Sequence, residues 1–191
     1  MNYSKFSCII GTKNTGKTTY CIAAIQAYMS AQRAGNNRKV IIVDTDIFSS
    51  SYSHYGIIEL HEILLLKKGV ARVIVPPGKI DSFLSVIMEN EINNVFIIIE
   101  DSRKYFKAAI TKVQEIYLRD VKNKGRETLI VGHFFVDIPP GFFKMSDRVI
   151  IKKTNETLKN VRDRTDHPDI LAAYKEVNAQ KNRYFHKIIE L

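Results

Sequence analysis

Short apolar runs recur along the chain at Phe6–Ile10, Val40–Val43, Arg72–Val75, Val95–Ile99, Thr128–Val131 and Arg148–Lys152. Their centres are unbroken Ile, Val and Phe rather than alternating apolar and polar residues. That is the pattern of strands covered on both faces. Stretches of helical spacing lie between them. Thr18–Arg33 carries Ile22, Ile25 and Met29 on one face and stops near Gly35. Lys104–Asn123 gathers Phe106, Ile110, Val113 and Tyr117 into one stripe, opposite lysines and arginines, with Gly125 beyond its end. This stripe reads as core. Ile57–Lys67 and Ile80–Met88 are shorter candidate helices. Strands that alternate with helices predict an α/β fold, with a mainly parallel central sheet flanked by helices on both sides.

Beyond the last of these strands, Asn155–Gln180 reads as helical with a break at His167-Pro168, and Arg183–Ile189 as one more edge strand. The expected organisation is a core over 1–154 and a C-terminal helical extension over 155–191 within the same domain. A length of 191 residues suits one α/β domain with a sizeable core. No apolar run approaches the roughly 18 residues that a membrane span requires. Met1–Lys5 lead straight into an apolar strand that is broken by Gly11, too short for a signal peptide. The expected location is cytoplasmic, which for a viral chain means the host cytoplasm or the virion. The two cysteines, Cys8 and Cys21, form no C-x-x-C pair, which argues against a zinc site or a disulfide framework; they read as small buried hydrophobes. Lys and Arg number 29 against 20 Asp and Glu, a net charge of +9. Such a balance favours a polyanionic partner, nucleic acid foremost, although a generic basic surface gives the same count.

The most specific signal is Gly11-Thr12-Lys13-Asn14-Thr15-Gly16-Lys17-Thr18, a full match to G-x-x-x-x-G-K-[ST]. Glycine allows the backbone torsions that wrap a phosphate. Successive N–H groups then form an anion nest, and the helix that opens near Gly16 adds its positive end. In this pattern Lys17 bridges the β- and γ-phosphates and the Thr18 hydroxyl ligates Mg²⁺. Thr19 completes the expected nucleotide-binding stretch Gly11–Thr19. Lys13 can reach phosphate, a neighbouring subunit or only solvent. With Gly at about 7% of average composition, a chance match in a chain of this length is roughly a one in a hundred event. The apolar strand before the motif and the amphipathic helix after it reduce that further. The expected fold class is therefore a P-loop NTPase with a RecA/ASCE-like core, and the expected cofactors are ATP and Mg²⁺.

A P-loop enzyme also needs a carboxylate at the end of a neighbouring strand. Val95–Ile99 ends in Glu100-Asp101, the best candidate for this Walker B position. Either Glu100 serves the metal and Asp101 the attacking water, or Asp101 serves the metal alone. The usual order is Asp then Glu, so this chain inverts it. Val40–Val43, ending in Asp44-Thr45-Asp46, is the rival strand. Thr128–Val131 runs into Gly132-His133, where a polar side chain can touch the γ-phosphate and sense hydrolysis; a satisfied core histidine is the other reading. Phe134, Phe135, Phe142 and Phe143 around Pro139-Pro140-Gly141 suit a packed corner better than a contact surface. Arg148, Lys152, Lys153, Lys159, Arg162 and Arg164 mostly read as a solvated basic face. Arg103, Arg162 and Arg164 are candidates for an arginine that acts across a subunit interface.

Taken in order, these segments resemble the HerA/FtsK-type ATPases, a group that includes viral genome-packaging ATPases and phage-assembly ATPases of the zonular-occludens-toxin type. The resemblance covers roughly Phe6 to Thr154. It rests on the Gly11–Thr18 loop, the strand ending at Asp44, the Ile97–Asp101 strand with Arg103-Lys104-Tyr105 behind it, and Gly132-His133 followed by Asp137-Ile138-Pro139-Pro140. It implies an ATPase that moves or packages DNA as a homo-oligomeric ring, commonly a hexamer, with an arginine supplied in trans. A nucleoside-type kinase and a non-hydrolysing ATP-dependent switch are the other functions the residues permit.

Overall fold

In the computed structural model, which describes residues 5–31, 37–48, 50–121 and 123–191, the apolar runs assemble into one eight-stranded sheet. The strands are β1 (Phe6–Ile10), β2 (Lys39–Asp44), β3 (Ile57–Ile58), β4 (Gly69–Ile74), β5 (Val95–Ile99), β6 (Arg126–Gly132), β7 (Arg148–Lys152) and β8 (His186–Glu190). Their spatial order is β3-β4-β2-β5-β6-β1-β7-β8. Every adjacent pair is parallel except β7 and β8. The strand that leads into the phosphate loop, β1, is thus separated from the acid-bearing β5 by β6.

Alternation along the central strands divides the core in two. Phe6, Cys8 and Ile10 face one layer, with Ile41, Val43, Ile97 and Ile99. Ile9, Val40, Ile42, Phe96 and Ile98 face the other. The first layer is covered by α2 (Ile80–Glu89), α3 (Lys112–Asp120), α4 (Pro140–Met145), α5 (Leu158–Arg162) and α6 (Pro168–Ala179). The second is covered mainly by α1 (Lys17–Ser30), through Cys21 and Ile25. At about 1.5–3 kcal/mol for each large aliphatic side chain withdrawn from water, burial on both faces accounts for the continuous Ile and Val of these strands. The expected end of α1 at Arg33 and Gly35 lies outside the described residues.

Two expected helices take another form. Over Ile57–Lys67, Ile57 and Ile58 pair with Arg72 and Val73 as a short parallel strand. Only Leu60–Leu64 then coils, as a 3₁₀ turn, with the Glu62 carboxylate accepting the Glu59 amide at 2.7 Å. The pair of β-branched residues is extended because β4 offers an open edge. Over Lys104–Asn123, α3 begins only at Lys112. Thr111 and Gln114 form a reciprocal capping box: the Thr111 hydroxyl accepts the Gln114 amide at 3.2 Å, and the Gln114 side chain accepts the Thr111 amide at 3.3 Å. Ahead of it, Tyr105 donates to the Val75 carbonyl at 2.9 Å and Phe106 packs edge-on against Phe142 at 4.8 Å. Phe106, Ile110, Val113 and Tyr117 do join the core, but from a loop and a helix rather than from one helix.

Glu127, at the start of β6, is half-buried beside Arg148, Arg38 and Lys5. Burial pushes its carboxyl up to about 7, against the pull of those cations. A carboxyl with a folded pKa above its unfolded value favours the fold at low pH, and that contribution is lost as pH rises from about 4.5 through 7. Glu127→Gln is therefore expected to stabilise the protein by about 1–3 kcal/mol at pH 8, with the gain shrinking toward pH 5. Chemical denaturation at the two pH values checks this; a difference independent of pH contradicts it.

Candidate active site

All the parallel strands point their C-terminal ends at one edge of the sheet, where the loops after β1, β2, β5, β6 and β7 meet. The Gly11–Thr18 loop follows β1 and enters α1 at Lys17. Asn14 (φ 61°) and Gly16 (φ 82°) are left-handed. Gly16 occupies the N-cap position and no side chain caps the first turn of α1, so its leading amides can meet an anion. A Cβ at Gly11 would lie 2.6 Å from the Lys152 Cβ and 2.8 Å from the Thr15 hydroxyl, which leaves no room for another residue. The loop is pinned from outside. The Thr12 amide donates to the Lys153 carbonyl at 2.9 Å, Thr15 donates to the Thr12 carbonyl at 2.8 Å, and Arg183 Nε donates to the Asn14 carbonyl at 2.9 Å.

The Lys17 ammonium donates to the carbonyls of Gly11 and Thr12, the latter at 3.0 Å, and lies 3.2 Å from His133 Nδ1. Burial holds its pKa below the usual lysine value, and the charge of Glu100 opposes that shift. Lys13, Asn14, Gly16, Lys17, Thr18 and Thr19 line a cleft of ≈ 470 Å³ together with Ser51, Glu100, His133, Arg183 and Tyr184. Lys13 is exposed.

Glu100 stands one residue past β5, with its amide bonded to the Val43 carbonyl at 3.0 Å. The buried Tyr52 donates its hydroxyl to Glu100 Oε1. Burial pushes the Glu100 carboxyl up to about 7, opposed by the Tyr52 hydrogen bond and by Lys17, and reinforced by Asp44 and Asp101. Glu100 and Thr18 share the loop cleft. Asp101 lies one step further out and lines the flanking clefts with Lys104; its Oδ2 is 3.0 Å from the Lys104 ammonium. Asp101 is left-handed, with φ 51° and ψ 60°. Aspartate tolerates that conformation better than glutamate does, which gives the inverted Glu-Asp order a backbone reason. On the rival strand, Asp44 is consumed locally. Its Oδ1 accepts the amides of Thr45 and Asp46 at 2.7 and 3.1 Å, and its Oδ2 pairs with the buried Arg72 at 3.3 Å.

His133, just past β6, is half-buried and faces the loop cleft. Burial and the nearby Lys17 keep its pKa below the ordinary histidine value, so the ring is neutral at pH 7. Asp137 accepts the His133 and Phe134 amides at 3.1 and 2.9 Å and fixes this corner. Phe135, Phe142 and Phe143 are buried, Phe135 stacking on Phe143 at 5.7 Å. Of the three arginines, Arg103 lines a cleft with Lys13, Asp101 and His133; Arg162 is exposed on α5, and Arg164 is half-buried after it. Lys152 departs from the expected solvated face. It is 3% exposed, beside Gly16 and 5.8 Å from the Tyr20 ring centre. Its position at the end of β7, next to β1, is what draws it inward. Tyr52 and Tyr184 carried no sequence signal, because Tyr52 reaches Glu100, and Tyr184 the loop cleft, from segments with no motif of their own.

Among the described residues, no group of three or more His, Cys, Asp or Glu side chains could hold a metal ion. No helix among the described residues is long and apolar enough to cross a membrane.

A mainly parallel sheet with this strand order, a G-x-x-x-x-G-K-[ST] loop after β1 and paired acids after β5 defines a P-loop NTPase fold. The fold is shared with the genome-packaging NTPase B204 from Sulfolobus turreted icosahedral virus 2 in complex with sulfate, at TM-score 0.76 and 19% identity over 100% of this chain and 92% of that one. B204 from Sulfolobus turreted icosahedral virus, described as a DNA-packaging ATPase, matches at TM-score 0.73 and 20% identity over 100% and 94% of the two chains. The N-terminal domain of zonular occludens toxin from Neisseria meningitidis matches at TM-score 0.55 and 12% identity over 98% and 95%. No protein-family model and no curated protein matches the sequence.

Proposed function

We propose that this chain binds Mg·ATP on the Gly11–Thr19 loop and hydrolyses it to move or package DNA. The observation that carries the reading is convergence: Lys17, Thr18, Glu100 and His133 all line one cleft at the uncapped start of α1. In this reading the loop amides and Lys17 hold the β- and γ-phosphates, and Thr18 and Glu100 hold the Mg²⁺ shell. Mg²⁺, when bound, supplies charge neutralisation on the phosphates. Asp101 orients the attacking water, and neutral His133 contacts the γ-phosphate. The likeness to B204, a genome-packaging NTPase, supports the packaging assignment, and the net charge of +9 supplies attraction for the DNA backbone. Assembly into a homo-oligomeric ring, a hexamer in this reading, belongs to the same proposal. The arginine supplied in trans is sought among Arg103, Arg162 and Arg164, of which Arg103 and Arg162 are exposed.

Fluorescence anisotropy with labelled duplex DNA tests the partner. Binding is expected at 50 mM salt and should weaken steeply by 200 mM, as phosphate contacts require. A folded protein with no affinity for DNA at low salt contradicts the DNA assignment.

A further inference from the structure

The antiparallel strand β8 has a consequence for the ligand. Because it runs against β7, it enters the sheet at the edge where the parallel strands end: His186 pairs with Lys152, the last residue of β7. The residues just before β8 are therefore delivered beside the phosphate loop. The Asn182 side chain accepts the Tyr184 amide at 2.9 Å, and Lys153 donates to the Gln180 carbonyl at 2.9 Å, so the approach is tied down at both ends. Arg183 bonds the Asn14 carbonyl and lies 5.2 Å from the centre of the Tyr184 ring. The Tyr184 ring lies 3.4 Å from where a Gly16 Cβ would be, yet it remains 58% exposed and lines the same cleft as the loop.

The two sides of this cleft differ in chemistry. Glu100 and His133 lie toward β5 and β6, where a triphosphate must place its γ end and its metal. Toward β7 and β8 stands an open aromatic face with a cation behind it. A nucleotide seated with its γ-phosphate at the acids extends its nucleoside the other way. We propose that the Asn182–His186 approach to β8 is the base subsite. Tyr184 is the face on which the nucleobase of a nucleoside triphosphate stacks, and Arg183 couples that face to the loop through Asn14. This rests on the phosphate-loop reading above and adds the part of the ligand the loop does not hold.

The test is calorimetric binding of ATP and of inorganic tripolyphosphate, each with Mg²⁺, to the full chain and to Tyr184→Ala and Tyr184→Phe. Tyr184 is exposed, so both variants keep the fold, and a thermal melt verifies this. Stacking on an aromatic ring contributes enough that its loss should weaken ATP by roughly tenfold. Tyr184→Phe should stay within about twofold of wild type, and tripolyphosphate should bind all three proteins alike. Unchanged ATP affinity in Tyr184→Ala, or an equal loss for both ligands, overturns the base subsite while leaving the phosphate loop standing. Wild-type protein that binds neither ligand overturns the phosphate-loop reading, and the base subsite with it.

Discussion

Lys17→Ala is expected to lower Mg·ATP turnover by roughly 10²–10³-fold. The Lys17 ammonium is buried at the base of the loop, held by the Gly11 and Thr12 carbonyls and beside His133. Among the described cations that line the loop cleft, Lys17 is buried, whereas Lys13 and Arg183 are exposed. Charge that develops between the β- and γ-phosphates during transfer then loses the compensation that Lys17 supplies. The fold should survive, because the loop keeps its ties to Lys153 and Arg183. Phosphate release at saturating ATP, with circular dichroism as the folding control, measures the effect. A variant within tenfold of wild type would mean that Lys17 does not face the transferred group.

Glu100→Gln separates chemistry from binding. Glutamine matches glutamate in shape and can still accept the Tyr52 hydroxyl, so the corner after β5 should hold. The charge that would steady the Mg²⁺ shell is gone. Turnover is expected to fall by about 10² or more, with ATP affinity within roughly fivefold of wild type, because the loop amides and Lys17 carry most of the binding. A loss of affinity with turnover at saturating ATP unchanged would place Glu100 in ground-state binding only. The companion Asp101→Asn is informative because Asp101 is left-handed and asparagine tolerates that conformation equally well.

The positions of the loop after β1 and of both acids after β5 were legible from residues alone, because a phosphate nest demands glycine and lysine at fixed spacing and a buried strand must end before a charge. The strands were legible for a related reason: two-sided burial leaves unbroken Ile and Val. Helices were harder. The Phe106–Tyr117 stripe has helical period, yet the chain coils only after Thr111, and the deciding signal was the Thr111/Gln114 capping pair rather than the stripe. Ile57-Ile58 became a strand because of an edge supplied by β4, which no local pattern reveals. Tyr52, Lys152 and Tyr184 were hidden for the same reason. Each gains its place from topology: Tyr52 from the loop after β2, Lys152 from the pairing of β7 with β1, and Tyr184 from the reversed direction of β8.

Phosphate release from Mg·ATP, measured with and without single- and double-stranded DNA on wild type and Lys17→Ala, tests the central claim most directly. The account expects turnover that DNA stimulates and that Lys17→Ala abolishes. Turnover indifferent to DNA, or ATP bound with no phosphate released under any condition, would contradict it.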